Sequence, residues 1–138
     1  MANRKPKELL RVVDANFNRG KEALRVCEDV CRFFLNKPSA TRQYKQLRHD
    51  LTAALAGMKL TDIIAARHIE GDVGKKSSSS EFRRRDVKDI FYANSQRTKE
   101  SLRVLEEFSK IIRPETAENF KRLRYRSYAL EQKILKVL

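Results

Sequence analysis

The sequence predicts an all-α protein, a four-helix bundle built from two duplicated helical hairpins with pseudo-twofold symmetry. Its 138 residues include only four glycines and three prolines, and the abundant Lys, Arg, Glu and Leu favour long helices over strands. The segment at 14–33, DANFNRGKEALRVCEDVCRF, recurs at 92–111 as YANSQRTKESLRVLEEFSKI. A repeat of this length, in which polar letters recur in register with apolar ones, indicates internal duplication.

The first hairpin is expected to occupy residues 9–58. Its first helix should begin near Pro6, because proline is favoured in a first turn, and it should end at the Asn-Lys-Pro sequence of 36–38. The second helix is predicted over 39–58, where apolar residues recur on one face.

A connecting loop at 59–86 follows the first hairpin. Residues 60–67 are predicted to form a short helix capped by Thr61. The next residues hold two of the four glycines, end in four serines and show no periodicity. We therefore expect 69–81 to be the most mobile part of the chain and to become ordered around phosphate.

The second hairpin is expected over 87–136. A third helix should run from 86 to 112, an Arg-Pro pair should end it, and a fourth helix should begin at 115. The sequence YKQLR at 44–48 recurs as FKRLR at 120–124, so the repeated unit is a whole hairpin. The chain, 1–138, is therefore predicted to be one helical domain in which the first long helix packs against the third.

The formal net charge of +13 predicts an anionic partner: nucleic acid, a phosphorylated small molecule or a membrane surface. The basic residues are spread along the chain, so an ordinary solvated surface is the competing explanation. No apolar run follows the basic N-terminus, and we expect no signal peptide, no membrane span and a cytoplasmic location. Cys27 and Cys31, one helical turn apart, are expected to be reduced core residues.

Asn16 and Asn94 occupy equivalent positions within an apolar column. A buried amide without hydrogen bonds costs about 1–3 kcal/mol. The pair could fix the register of the helices, as a core asparagine does in coiled coils, or it could hold a ligand between the first and third long helices. The sequence gives these two interpretations equal weight.

Arg25 and Arg103 lie on the opposite side of their helices, where Glu28 and Glu106 can pair with them at the i, i+3 spacing. Surface ion pairs contribute little to stability, yet these recur in both copies. Either another helix packs on that side, or these residues line a site. Arginine suits bidentate contacts to phosphate, and glutamate suits a divalent cation.

The segment ARHIEGDVG at 66–74 is the candidate phosphate loop. Its glycines would let backbone amides approach phosphate oxygens. Arg67 and Lys75 could neutralise charge, and Asp72 could hold Mg²⁺ or accept a proton. The segment has neither the Walker A spacing nor GxGxxG, so a plain turn between hairpins is the favoured alternative.

These runs resemble a small all-helical family of thiamin biosynthesis. The sequences DANFNRGKEALRVCEDVCRF, KQLRHDL, AARHIEGDVG and YANSQRTKESLRVLEEFSK are similar to the domain fused in front of thiamin-phosphate synthase in some bacteria. They are also similar to its stand-alone relatives, the alternative monofunctional hydroxymethylpyrimidine-phosphate kinases. The resemblance covers about Leu9 to Leu135 and implies the free-standing form, because the chain has no room for the barrel of the synthase.

The resemblance implies a phosphotransferase, a phosphomethylpyrimidine kinase, that uses ATP and Mg²⁺ to convert hydroxymethylpyrimidine phosphate to the pyrophosphate. Phosphoryl transfer needs positioning and charge neutralisation more than covalent chemistry. The implied residues are, for catalysis, Asp14, Arg25, Asp72 and Arg103; for substrate or nucleotide, Asn16, Arg19, Arg67, Gly71, Gly74, Lys75, Asn94 and Arg97; and for metal, Glu28 and Glu106. Lys75 stands where the fused form has a small hydroxyl residue, so a charge replaces a hydroxyl contact to phosphate.

Two other functions stay open. The chain could be a non-catalytic helical partner of a separate thiamin-phosphate synthase, or a basic helical module that binds nucleic acid. Nucleic acid is disfavoured, because the sequence has no Trp, no aromatic platform and no helix-turn-helix spacing. A homo-oligomer is compatible with the sequence, and a membrane partner is not expected.

Overall fold

The computed structural model describes residues 7–79 and 83–138, which form five α-helices. These are α1 (Lys7–Asp29), α2 (Pro38–Ala54), α3 (Leu60–Ala65), α4 (Val87–Ile112) and α5 (Pro114–Leu135). The described residues contain no β-strand, so the predicted all-α class is confirmed. The predicted helix start at Pro6 and residues 80 and 81 of the predicted mobile segment lie outside this range.

Prolines begin two of the long helices. Pro38 and Pro114 are the first residues of α2 and α5, where a missing N–H costs no helical hydrogen bond. α4 begins with a side-chain cap, because Oδ1 of Asp86 accepts a 2.8 Å hydrogen bond from the backbone N–H three residues later. The predicted cap of α3 is wrong, since Lys59 precedes the helix and Thr61 lies inside its first turn.

Two helix ends differ from the prediction. The first helix does not continue as an α-helix to 36–38, because α1 changes into a single π-helical turn at Val30–Phe34. α2 ends at Ala54 and not near Met58. Gly57, a few residues later, has a φ of 91°, a left-handed backbone that glycine adopts without steric cost and that turns the chain towards α3.

Each of the four long helices packs against two others. α1 contacts α2 and α4, α5 contacts the same two helices, and α3 packs against α1. α1 and α4 run antiparallel, because Sγ of Cys27, late in α1, lies 3.9 Å from the carbonyl oxygen of Phe91, early in α4. The predicted contact between the first and third long helices is therefore present.

The core lies between these helices and is mainly aliphatic. Tyr44 and Phe91 pack edge to face, with ring centroids 6.1 Å apart. Cys27 and Cys31 are free, buried thiols, as predicted, and burial raises the pKa of Cys31 to about 11. No helix within the described ranges is both long and apolar enough to cross a membrane.

A buried ion pair joins the two helices of each hairpin. Glu28 on α1 accepts a 3.0 Å hydrogen bond from Nε of Arg48 on α2. Glu106 on α4 accepts bonds of 3.1 and 2.9 Å from Nε and Nη2 of Arg124 on α5. Both glutamates and Arg124 are buried, so each carboxylate depends on its arginine for neutralisation.

Replacing Arg124 with Met should destabilise the protein strongly, because the buried carboxylate of Glu106 loses both hydrogen bonds from that guanidinium and keeps only the half-exposed Arg103, 3.8 Å away. We expect the free energy of unfolding to fall by about 3–5 kcal/mol, measured by urea denaturation. The matched control is Lys110→Met, which breaks an exposed 3.0 Å pair with Glu107 and should cost about 0–1 kcal/mol. Equal losses in the two variants would contradict a structural role for the buried pair.

Candidate ligand-binding site

A cleft lies between α1 and α4 where the two helices pack together, and it encloses a cavity of about 670 Å³. On α1, Gly20 lets Leu51 of α2 pack closely, because a Cβ at position 20 would lie 3.0 Å from Cδ2 of Leu51. Repeated positions line both walls, together with Gly74 of the connecting loop. They are Asn16, Arg19, Glu22, Ala23 and Val26 on α1, and Asn94, Arg97, Glu100, Ser101 and Val104 on α4.

Each α1 residue of the cleft has its repeat counterpart on the opposite wall. This arrangement follows from the antiparallel packing of two helices with the same sequence pattern. It explains why polar residues recur in the two copies, since both copies contribute to the same cleft. The predicted binding residues Asn16, Arg19, Asn94, Arg97 and Gly74 are thereby brought together.

Arg19 and Arg97 supply the positive charge of the cleft, and both are exposed. Neither guanidinium forms an ion pair with any residue of the described chain. Glu22 and Glu100 add two carboxylates, so the lining is formally neutral. Such a lining suits a ligand that carries both an anionic group for the arginines and hydrogen-bond donors for the glutamates.

The two asparagines make the same local hydrogen bond. Nδ2 of Asn16 donates to the carbonyl oxygen of Val12 at 2.9 Å, and Nδ2 of Asn94 donates to that of Ile90 at 2.8 Å. Both bonds stay within one helix, so neither amide fixes the register of α1 against α4. Each amide oxygen accepts no bond from the described residues, and this favours the ligand-binding interpretation of the pair.

A second cavity, of about 510 Å³, adjoins the cleft and shares Asn16 and Arg19 with it. The residues that follow α3 close this cavity. Arg67 reaches α1 from there, and its Nε and Nη2 each donate a 2.7 Å hydrogen bond to Asp14. Asp14 is buried, and the equivalent position in the second copy is Tyr92, so this charged fork belongs to one end of the cleft.

The loop after α3 reaches both cavities. Gly74 lines the cleft and donates its backbone N–H to Oδ1 of Asp72 at 2.9 Å, and Asp72 lines the second cavity. Gly71 lies against the imidazole ring of His68, where a Cβ would collide. Neither Gly71 nor Lys75 lines either cavity. Ordering of this loop around phosphate stays a prediction.

Four of the predicted residues lie away from the cleft. Arg25 is 3.7 Å from Glu28, and Arg103 is 3.8 Å from Glu106, so the predicted i, i+3 pairs form. None of the four lines either cavity. For the glutamates the structure supports the first explanation, since α2 packs against Glu28 through Arg48 and α5 packs against Glu106 through Arg124. Packing does not explain the recurrence of Arg25 and Arg103, whose side chains are about half exposed.

The sequence analysis missed the arginines that hold the two buried glutamates. Arg48 and Arg124 are the last letters of YKQLR and FKRLR. An arginine that recurs beside a buried glutamate in both copies is a signal for an ion pair between helices, and it was available in the sequence. Only the structure shows that these arginines, and not Arg25 or Arg103, make the short contacts.

The fold defines a small all-helical domain with an internally repeated sequence. A family described as the ThiD2 family matches residues 11–133, so the chain belongs to the ThiD2 family. No solved structure matches the chain.

Several relatives carry the name thiamine-phosphate synthase. The protein of Synechocystis sp. is 41% identical over 136 residues, which are 98% of this chain and 38% of the relative. The protein of Rhodopirellula baltica is 38% identical over 94% of this chain and 35% of its own length. That of Nostoc punctiforme is 38% identical over 91% of this chain and 35% of its own length. The chain thus spans little more than a third of these relatives.

The prediction of a phosphotransferase, a phosphomethylpyrimidine kinase, is corrected by these comparisons. The relatives above are named for synthesis of thiamine phosphate, not for a kinase reaction. In addition, the predicted catalytic residues Arg25 and Arg103 lie outside both cavities. The resemblance to thiamin-biosynthesis proteins is supported, whereas the kinase assignment that came with it is not.

An anionic ligand in the cleft should bind more weakly to Arg19→Gln and to Arg97→Gln than to the natural chain, because each variant removes a charged donor from the cleft. A hydrogen bond to a charged group contributes about 1.5–3 kcal/mol, so we expect the dissociation constant to rise about tenfold or more. Isothermal titration calorimetry measures it. Arg25→Gln on the same helix is the control and should bind normally; a loss equal to that of Arg19→Gln would place the anion outside the cleft.

Proposed function

We propose that this chain acts in thiamin biosynthesis as the helical partner of a thiamine-phosphate synthase. The observation that carries the proposal is the extent of one match, in which 98% of the chain corresponds to 38% of the Synechocystis protein. A segment that recurs almost whole within a longer protein behaves as a domain with its own core. In this proposal the domain works beside the remainder of such a synthase, either covalently joined to it or as a separate subunit.

The α1–α4 cleft is proposed to hold a small phosphorylated molecule, the hydroxymethylpyrimidine phosphate that the sequence suggests. Arg19 and Arg97 support this role, because they face the cleft without ion-pair partners in the described chain. The free amide oxygens of Asn16 and Asn94 can accept hydrogen bonds from a heterocycle. A domain that binds this molecule next to a synthase would raise its local concentration there.

ATP and Mg²⁺ stay predictions from the sequence. The unpaired arginines of the cleft fit the charge of a nucleotide. The carboxylates fit a metal ion less well, because no three His, Cys, Asp or Glu side chains gather anywhere in residues 7–79 and 83–138. Glu28 and Glu106, the predicted metal ligands, are hydrogen-bonded to Arg48 and Arg124. The proposed role as a partner requires no metal.

We propose further that the two hairpins form a four-helix bundle with a pseudo-twofold axis. Equivalent contacts in the two copies support this, such as Glu28 with Arg48 and Glu106 with Arg124. The expected result is that residues 10–57 superpose on 88–135 in an experimentally determined structure. Hairpins that do not superpose would contradict the duplication of a whole hairpin.

The partner role predicts that this chain binds a synthase that lacks its own copy of the domain. The partner to use is the Synechocystis protein without the 136 residues that match this chain. We expect the backbone amide NMR signals of the isotopically labelled chain to shift as this protein is added. Because fused domains meet at an effective concentration on the order of 1 mM, the titration should extend to about that concentration.

The full-length Synechocystis protein is the matched control, because its own helical region should already occupy the docking surface. We expect it to bind the chain much more weakly than the shortened protein does. The absence of any signal shift with the shortened protein at the highest concentration would contradict the partner role. Binding that is equally strong with the full-length protein would show that a different surface is involved.

A further inference from the structure

A groove runs between α2 and α5, the two long helices that do not line the α1–α4 cleft. At one end of it lies a hollow of about 400 Å³, near the start of α2 and the end of α5. Arg42, Arg126 and Lys133 line this hollow, and no carboxylate of the described residues does so. The hollow therefore differs from the α1–α4 cleft, whose arginines and glutamates balance one another.

The charge of the hollow is not simply a result of the basic composition. A second hollow, of about 260 Å³, lies farther along the same groove and is built mostly from the equivalent positions of the other copy. It contains Asp50 together with Arg122 and Arg126, and Arg126 lines both hollows. By repeat position, Asp50 stands where the basic hollow has Arg126. Glu118 occupies the position equivalent to Arg42. The same pair of helices thus makes a basic hollow at one end and a hollow of mixed charge at the other.

Asp50 fixes two of the side chains that line the basic hollow. Its Oδ2 accepts a 2.7 Å hydrogen bond from Nη1 of Arg126, and its Oδ1 accepts one of 2.8 Å from Nε2 of Gln46. The bond from Arg126 lowers the pKa of Asp50, so the pairing persists at neutral pH. The other nitrogens of the Arg126 guanidinium keep donors for a ligand.

The other two cations are available to an anion. Arg42 and Lys133 make no ion pair with any part of the chain that the structure describes. Two unpaired cations and one oriented arginine therefore converge on one concave surface.

We propose that this basic hollow is a second binding site, for a small molecule that carries phosphate groups. Guanidinium groups bind phosphate oxygens through paired N–H donors, and lysine adds a point charge. The volume of the hollow falls within the range of about 300–1,000 Å³ that is usual for small-ligand sites. Nucleic acid fits less well, because its phosphates need an extended basic track and Asp50 interrupts this groove. The proposal goes beyond the partner role and does not depend on it.

Inorganic pyrophosphate is the probe. It is added to the intact chain at constant ionic strength, and its binding is followed by the backbone amide NMR signals of the chain. We expect saturable shifts at residues 39–46 and 126–133. The double variant Arg42→Gln/Lys133→Gln should weaken the binding that these signals report at least about tenfold, because two charge-assisted contacts are lost. All the changed side chains are exposed, and circular dichroism will show whether the helices remain intact.

The matched control is Lys45→Gln/Lys121→Gln, which removes the same charge from exposed positions of the same two helices that do not line the hollow. Its affinity should stay within about twofold of the natural chain, because salt screens charges at that distance. Equal weakening in both double variants would overturn the site in favour of a diffuse attraction to the +13 chain. Shifts confined to 16–26 and 94–104, or shifts that do not saturate, would also overturn it.

Discussion

The arrangement of the helices depends on the buried Glu–Arg pair that joins the two helices of each hairpin. A carboxylate in an apolar interior is tolerated only when a cation and hydrogen bonds neutralise it. A shift of α2 along α1 by one turn would separate Glu28 from Arg48, and the same holds for Glu106 and Arg124 in the second hairpin. Breaking either pair by removing its arginine would leave a buried carboxylate without its hydrogen-bonded cation, which is costly. With this alignment fixed, α1 and α4 pack against each other through the faces that do not contact α2 and α5.

The repeated polar residues serve two different faces of the same helix. They recur every third residue from 16 to 28, and three residues fall about 60° short of a full helical turn. The series therefore winds around α1, from Asn16 and Arg19 in the cleft to Glu28 against α2. One repeated sequence motif thus contains a binding surface and a packing surface. This explains why Arg25 belongs to the same motif as Asn16 and yet lies outside the cleft.

The sequence was sufficient for the long helices, their order and five of the residues that line the cleft, because periodicity and the repeat both report local structure. Glu22 and Glu100, which supply the carboxylates of the cleft, were not predicted. It was insufficient where a nearby residue and a residue distant in the sequence can both pair with the same side chain. Arg25 is the local partner of Glu28, yet Arg48 on another helix makes the shorter contact. The π-helical turn at Val30–Phe34 and the cap of α3 depend on small differences in backbone hydrogen bonding that single residues do not determine. The charge difference between the two hollows of the α2–α5 groove depends on which residues of the two helices are neighbours, and the sequence alone does not show this.

The bidentate ion pair between Asp14 and Arg67 makes the two ends of the cleft different. Two walls with the same residues in antiparallel order would accept a molecule equally well in either of two orientations, head to tail or reversed. The fork, α3 and the cavity that they enclose lie beside Asn16 and Arg19 alone. A ligand with unlike ends therefore meets unlike surroundings at its two ends, and the two orientations differ in energy. The site of this duplicated scaffold therefore has two different ends, because α3 and the Asp14–Arg67 pair lie beside only one of its halves.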